Sequence, residues 1–437
     1  MFGVLFLLLF PQGPAHGQLL LQWRLRSLPG VVAVERMPHE IPHIHSQYLI
    51  LFEQPVDHAD PGAGTFLQRV FLRHAGFDKP MVFVTEGYAV DEASYSTNIH
   101  ELAKRFEAGE IVVEHRYFGE SVPEGHGWDP LTAKNAAADH HRIVSAFQRL
   151  YQEKWISTGT SKGGTAALIH KMYYPDDVDI TVLYSTPLNY GLVDGRHESY
   201  IISTPDPHYR TAVHALQLEV LQRRDSLMPM LQEYVSKHNL TFRVPLEEVY
   251  DYMVLQYSFS FYQWGYDFAS IPWDHAADEE LFAHWMKVSP PEYFAISDDY
   301  LPFFVQAARE LGYYGYSIRG LWQELHIITT QDYFHRLFLP DSIDYIYDIT
   351  LTQQIQTFLD STDHRILFLY GEWDPWAASA VVFDWREKEN MRKVLKEFGN
   401  HNTMIGNLPR KQREEVLERL NKCMAEPAPD RSRKRRK

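Results

Sequence analysis

The sequence predicts an α/β fold: a mainly parallel sheet with helices on both faces and a large helical insertion. Three observations carry that reading. From Tyr48 to about Gly195, short apolar runs alternate with helical patterns, as expected of βαβ units. A long helix-rich stretch then interrupts the alternation, which resumes near Arg365. Within the first part, "KWIST" passes into a helix through the sharp turn "GTSKGG", residues 159–164.

The elements follow in order. "YLILFEQPVDH" and "TFLQRVFLRH" have strand composition and flank a turn, "ADPGAGT". "KPMVFVTEGYA" is a short buried run, and "GEIVVEHRYFGES" holds another strand at residues 111–114 before a loop. In "PLTAKNAAADHHRIVSAFQRLYQ", Ala137, Ile143, Val144, Phe147 and Leu150 recur at helical spacing. The strand "KWIST", the helix after Ser161 and the strand "DITVLYSTP" complete this part. The insertion contains the helical patterns "YRTAVHALQLEVLQRRDSLMPMLQEYVSKH" and "LTQQIQTFLD". Its segment 250–273 carries ten aromatic residues, most of them expected to form the insertion's own core. "RILFLYGEWDPW" and "MRKVLKEFGNH" then read as strands with turns, and "LPRKQREEVLERLNKCM" as a closing amphipathic helix.

Composition narrows the function classes. With 45% hydrophobic residues the 437-residue chain can bury a large core. Its formal charge is -15, although the last seven residues, "RSRKRRK", are strongly basic. So acidic a body repels phosphate backbones, which argues against nucleic-acid binding. The basic end reads as a solvated, disordered tail, residues 426–437. The single cysteine, Cys423, allows no intrachain disulfide and no cysteine-based zinc site. The apolar run at residues 2–10 has the length of a signal-peptide core, and "AHG" at 15–17 has the form of a cleavage site. Residues 1–17 are therefore read as a leader, implying a secreted or periplasmic protein, although no Lys or Arg precedes the run; a cytoplasmic location is the alternative. No other segment reads as a membrane span.

The turn at 159–164 bears the chemistry. A buried strand, G-x-S-x-G and a helix form the nucleophile elbow of α/β-hydrolases. Ser161 is then the nucleophile, and the next backbone N–H, that of Lys162, faces the oxyanion. Serine needs a base, and the base needs an orienting carboxylate. This fold supplies them in the order Ser, Asp, His from turns after late strands. "ILFLYGEWDPW" offers Asp374 and "VLKEFGNHNT" offers His401, in that order. Glu372 is the second choice for the acid, as it falls at the strand end. His364 precedes its strand, and His140 and His141 sit on a helix with many solvated neighbours. "HEIPH" at 39–43 has the letters of a zinc site, but Pro42 breaks the helix that such a site needs. No metal or cofactor is called for. A second oxyanion donor is expected in "VFVTEGYA", at Gly87 or Tyr88. Glu86 beside it would oppose an oxyanion, so it serves another purpose: it holds a substrate's free α-ammonium, or it is simply a loop residue that is solvated or paired with an arginine such as Arg116.

"VEHRYFGES", "KWISTGTSKGGTAALIHKMYYPDDVDITVLYSTP", "LYGEWDPW", "GNH" and "FEQPVDHADP" resemble the secreted bacterial tripeptidyl-aminopeptidase family of serine peptidases. That family is related to the prolyl carboxypeptidases and dipeptidyl peptidases. The resemblance covers residues 43 to 408. It implies an α/β-hydrolase core, a helical cap over the site, export, and release of short peptides from free N-termini. Its nucleophile, acid and base fall on Ser161, Asp374 and His401.

The organisation expected is a core at 40–195 and 359–425 with a cap at 196–358 between nucleophile and acid. The cap's aromatics, Trp264 among them, together with Trp376 after the acid, are candidates for the walls of a peptide pocket. The expected activity is that of a serine exopeptidase on peptide substrates, tripeptides favoured. An esterase or lipase on the same fold is the alternative, because fold and triad do not fix the acyl substrate. Oligomeric state is not legible.

Overall fold

A computed structural model describes residues 14–91, 97–272, 275–327 and 333–428 of the chain. Nine strands form one sheet: β1 (Val31–Met37), β2 (Ser46–Asp57), β3 (Asp60–His74), β4 (Met81–Thr85), β5 (Gly109–Val113), β6 (Trp155–Thr160), β7 (Ile180–Tyr184), then β10 (Ile366–Gly371) and β11 (Met391–Lys396). Two-residue strands β8 (Val193–Asp194) and β9 (Tyr313–Tyr314) pair separately. The order across the main sheet is β1-β2-β3-β5-β4-β6-β7-β10-β11. From β5 to β11 every pairing is parallel, and β1, β2 and β3 add an antiparallel edge.

The parallel strands β4, β5, β7 and β10 are buried along their whole length, as helices on both faces require. Their side chains divide by the two-residue period. Phe83, Ile111 and Trp155 pack with Ile143 and Phe147 of the helix Ala133–Phe147 on one face. Val82, Val84, Val182 and Leu369 pack with Leu420 of the helix Arg410–Ala425 on the other. Each such fully buried aliphatic side chain is worth about 1.5–3 kcal/mol against exposure.

Two local expectations change. The turn "ADPGAGT" shrinks to His58 and Ala59, because Asp57 pairs with Asp60 and the glycines extend β3. The long helical pattern after Tyr209 is two helices, Pro207–Gln222 and Arg224–His238, broken at Arg223. The insertion does build a hydrophobic cluster of its own, centred on the helix Leu246–Trp264. Of the ten aromatics, Tyr250, Tyr252, Tyr257, Phe259, Phe261 and Tyr262 are buried.

Most of the leader reading (1–13 of 1–17) lies outside the described residues, as does most of the tail reading (429–437). A helix at Pro14–Arg26 runs across position 17, and its Leu21 and Leu25 pack into the sheet core. Among the described residues no helix is long and apolar enough to cross a membrane.

Candidate active site

At the C-terminal end of β6, Ser161 adopts φ 55° and ψ -125° between the strand and the helix Lys162–Tyr173. A non-glycine residue held there is strained, and it persists only where its surroundings enforce it. The surroundings do so by close packing. A Cβ on Gly159 would overlap the Gly163 backbone, one on Gly163 would lie 2.5 Å from Thr85 O, and one on Gly164 would overlap Thr186. Across the gap, a Cβ on Gly87 would lie 2.7 Å from Lys162 Cβ and 2.8 Å from Gly163 N. Strand β4, its loop and the turn at Ser161 thus form one close-packed unit. Ser161 remains partly open to solvent while the helix behind it is buried.

Asp374 and His401 arrive from two other turns at the same end of the sheet. Asp374 follows β10 and is fully buried. Its Oδ2 lies 2.7 Å from His401 Nδ1, and its Oδ1 accepts the Trp376 N–H at 3.1 Å. Since a carboxylate only accepts, His401 carries its proton on Nδ1 and leaves Nε2 as an acceptor. Ser161 N–H donates to Tyr184 O at 2.8 Å, and the neighbouring Ser185 Oγ donates to His401 O at 3.3 Å. Those bonds tie the serine turn to the histidine loop. Among the described residues neither Ser161 Oγ nor His401 Nε2 has a hydrogen-bond partner.

The rivals have other partners. Glu372 Oε2 accepts the Phe398 N–H at 3.0 Å, so it braces the histidine loop from the other end. His364 stacks on Phe358. Contrary to the solvated setting expected, His140 is buried between Phe83 and His170, and burial lowers its pKa to about 3. His141 stacks on Tyr174 and pairs with Asp177.

The helical insertion reaches the same place. His401 N–H donates to Gln263 O at 2.9 Å, and Asn400 Nδ2 to Trp264 O at 3.2 Å. The helix stops there because Gly265, at φ 67°, takes the left-handed conformation. Trp264, 48% exposed, stands edge-on to the His401 ring with centroids 5.8 Å apart. Trp376 differs: it is buried against His197, Phe259, Tyr313 and Tyr314, inside the aromatic core. Packing accounts for it fully.

Around Glu86 the sequence left two readings open. Its proposed partner Arg116 is committed elsewhere, gripping Asp139 with two nitrogens at 2.7 and 2.9 Å. Among the described residues the Glu86 carboxyl has no hydrogen-bond or ion-pair partner. It is densely surrounded yet open to solvent at one edge. Burial, with a smaller contribution from the nearby Glu110, pushes its pKa up to about 7.

Sequence reading missed what holds the loop at residues 86–90. Glu114, from "VEHRYFGES", is fully buried and pairs with Arg69 at 2.5 Å. It also accepts the Val90 N–H at 3.0 Å and the Ser121 hydroxyl at 2.7 Å. His115 N–H donates to Tyr88 O at 3.2 Å. The motif is therefore a brace for the loop, and its density of charge in a strand end was the available signal. Glu310, which sits near Lys162 and accepts the Ala133 N–H at 2.6 Å, gave no signal in sequence.

With this geometry in place, comparison with known proteins decides the family. The PS-10 peptidase S37 family model matches residues 18–430. The chain belongs to peptidase family S37. It is a serine peptidase, as the sequence resemblance implied. It is 29% identical over 365 residues to the prolyl tri/tetrapeptidyl aminopeptidase of Streptomyces mobaraensis, covering 81% of this chain and 74% of that protein. It is also 28% identical over 182 residues to the human lysosomal Pro-X carboxypeptidase, covering 38% of this chain and 36% of that one. A solved proline iminopeptidase of Mycobacterium smegmatis is similar at 13% identity and TM-score 0.38, over 82% of this chain and 96% of that one.

The close packing at the serine turn of this S37 peptidase sets a test of its rigidity. Gly159→Ala should destabilise the fold by about 3 kcal/mol, because the Gly163–Gly164 backbone that the new methyl would meet cannot yield. Gly195→Ala, where nothing lies within 4 Å, should change stability by less than about 0.5 kcal/mol. Urea denaturation of the pair measures the difference; equal effects would show that the turn is loosely packed.

Proposed function

We propose that Ser161, His401 and Asp374 form the catalytic triad, and that the enzyme releases short peptides, tripeptides foremost, from free N-termini. The observation carrying this is the 2.7 Å contact between His401 and Asp374, at the sheet end where Ser161 sits strained and partly open. In this reading His401 Nε2 takes the Ser161 proton as Oγ attacks the scissile carbonyl. The same nitrogen returns that proton to the leaving amine, and water then hydrolyses the acyl-enzyme. Asp374 fixes the tautomer and offsets the charge gained by the imidazole. The Lys162 N–H and the Tyr88 or Gly87 N–H, which donate to no acceptor among the described residues, hold the oxyanion. Residues 196–358 act as a cap over a core formed by 40–195 and 359–425. Trp264 lines the entrance beside His401; Trp376, offered with it as a pocket wall, would act only through its packing.

Glu86 supports the exopeptidase specificity. It lies one or two residues before the oxyanion donors, so an ammonium held by it stays within roughly 10 Å of the reacting carbonyl, the span of about three extended residues. The test uses matched fluorogenic di- and tripeptides with free or acetylated N-termini. Free tripeptides should be hydrolysed and acetylated ones should not. Turnover of acetylated peptides or simple esters at similar rates would point instead to a general hydrolase.

Glu86→Gln should raise KM for free-amine peptides by about tenfold to a hundredfold, the worth of a partly buried charge pair at about 1.5–3 kcal/mol. Only the ionised carboxylate pairs with an ammonium. The ratio of wild-type to Glu86→Gln kcat/KM should therefore rise with pH through about 7, where the raised pKa places the ionisation. A flat ratio would remove Glu86 from substrate binding.

A further inference from the structure

The Lys162 side chain has a place that a residue needed only for its backbone N–H would not require. It is buried. Its Nζ donates to Gly87 O at 2.6 Å and stands over the rings of Phe118 at 4.7 Å and Tyr88 at 5.5 Å. Burial lowers its pKa well below the usual lysine range, and Glu310 nearby offsets part of that. Removing an ammonium from water is costly, and an apolar side chain would fill this space without that cost.

The partner chosen gives the reason. Gly87 must lack a side chain to approach Lys162 and Gly163, and a glycine leaves its peptide groups free to rotate. The neighbouring peptides are held by other bonds: Glu86 N–H donates to Val113 O at 3.1 Å, and Tyr88 O accepts from His115 N–H. Two peptides lie between them, Glu86–Gly87 and Gly87–Tyr88, and the bond from Lys162 Nζ to Gly87 O holds the second. In a trans peptide the C=O and N–H point in opposite directions, and the described backbone has no cis bonds. Holding Gly87 O from one side therefore fixes the direction of the Tyr88 N–H.

We infer that the Lys162 side chain is a positioning residue, whose bond to Gly87 O locks the Gly87–Tyr88 peptide with its N–H directed at the developing oxyanion. This rests on the reading of Ser161 as nucleophile and of that N–H as oxyanion donor. One residue thereby serves the oxyanion site twice, through its own N–H and through the orientation of the second donor.

The test is Lys162→Met beside Ser161→Ala. Misorienting one oxyanion donor costs about 10²- to 10³-fold in kcat, so Lys162→Met should lose that much. KM should stay within about threefold, fluorophosphonate labelling should slow in parallel, and the melting temperature should be unchanged or higher. A purely structural lysine predicts the opposite pattern: a lower melting temperature with kcat kept in the folded fraction. A second variant, Lys162→Cys in a Cys423→Ser background, is refolded after aminoethylation, which rebuilds a near-isosteric ammonium. At least tenfold recovery of kcat over the unmodified protein is expected. Kcat within threefold of wild type in Lys162→Met, or no recovery on aminoethylation, would overturn the inference. Were Ser161→Ala itself active, the nucleophile assignment would fall, which is a separable outcome.

Discussion

Ser161→Ala is expected to lower kcat for peptide hydrolysis by about 10⁶-fold, the scale on which serine-peptidase nucleophiles are measured. The substitution removes one oxygen and keeps the β-carbon, so the packing that enforces φ 55° stays intact. Melting temperature should therefore move by no more than a few degrees, and substrate should still bind. Residual turnover of about 10³-fold over water is the share left to the oxyanion donors and to binding. The measurement pairs steady-state kinetics with fluorophosphonate labelling, which should vanish. Activity within tenfold of wild type would sink the assignment outright.

Asp374→Asn carries the second largest effect, about 10⁴-fold in kcat, and this site explains why. Asp374 Oδ1 already accepts the Trp376 N–H. An asparagine keeps that bond only by placing its carbonyl oxygen there, which turns the amide NH₂ toward His401. A donor facing Nδ1 forces that nitrogen to accept, and the proton moves to Nε2, where it blocks the base. The side chain changes shape by almost nothing, so the folded protein should remain. Glu372→Gln is the comparison, because that carboxylate braces the Phe398 N–H and does not touch His401. It should keep kcat within about threefold. Equal losses in the two variants would mean that the acid has been misassigned.

Much of this was legible in the sequence because its signals are local. The fully buried runs at β4, β7 and β10, the glycines around Ser161 and the positions of Asp374 and His401 at strand ends follow from composition and spacing. What escaped depends on long-range packing. "HHRI" reads as a solvated helix face, but His140 is sealed under the sheet beside Phe83. Trp376 follows the acid and looks like a pocket wall, yet aromatic rings from the insertion enclose it. For Lys162 the sequence assigns a role to the backbone N–H alone, and only the approach of Gly87 shows where its ammonium goes. Glu86 was left open in sequence, and the commitment of Arg116 to Asp139 was needed to remove one of its alternatives.

The end of the helix Leu246–Trp264 has one more consequence. Its last carbonyls hold His401 N–H and the Asn400 amide, and Gly265 is shaped to let Asn400 in. Lifting that helix away from the sheet would break those bonds and leave the loop at Asn400 and His401 without that support. The insertion and the loop that carries His401 are therefore tied together at this point. A substitution that frays this helix end, more than 130 residues earlier in the chain, would reach His401 through its backbone.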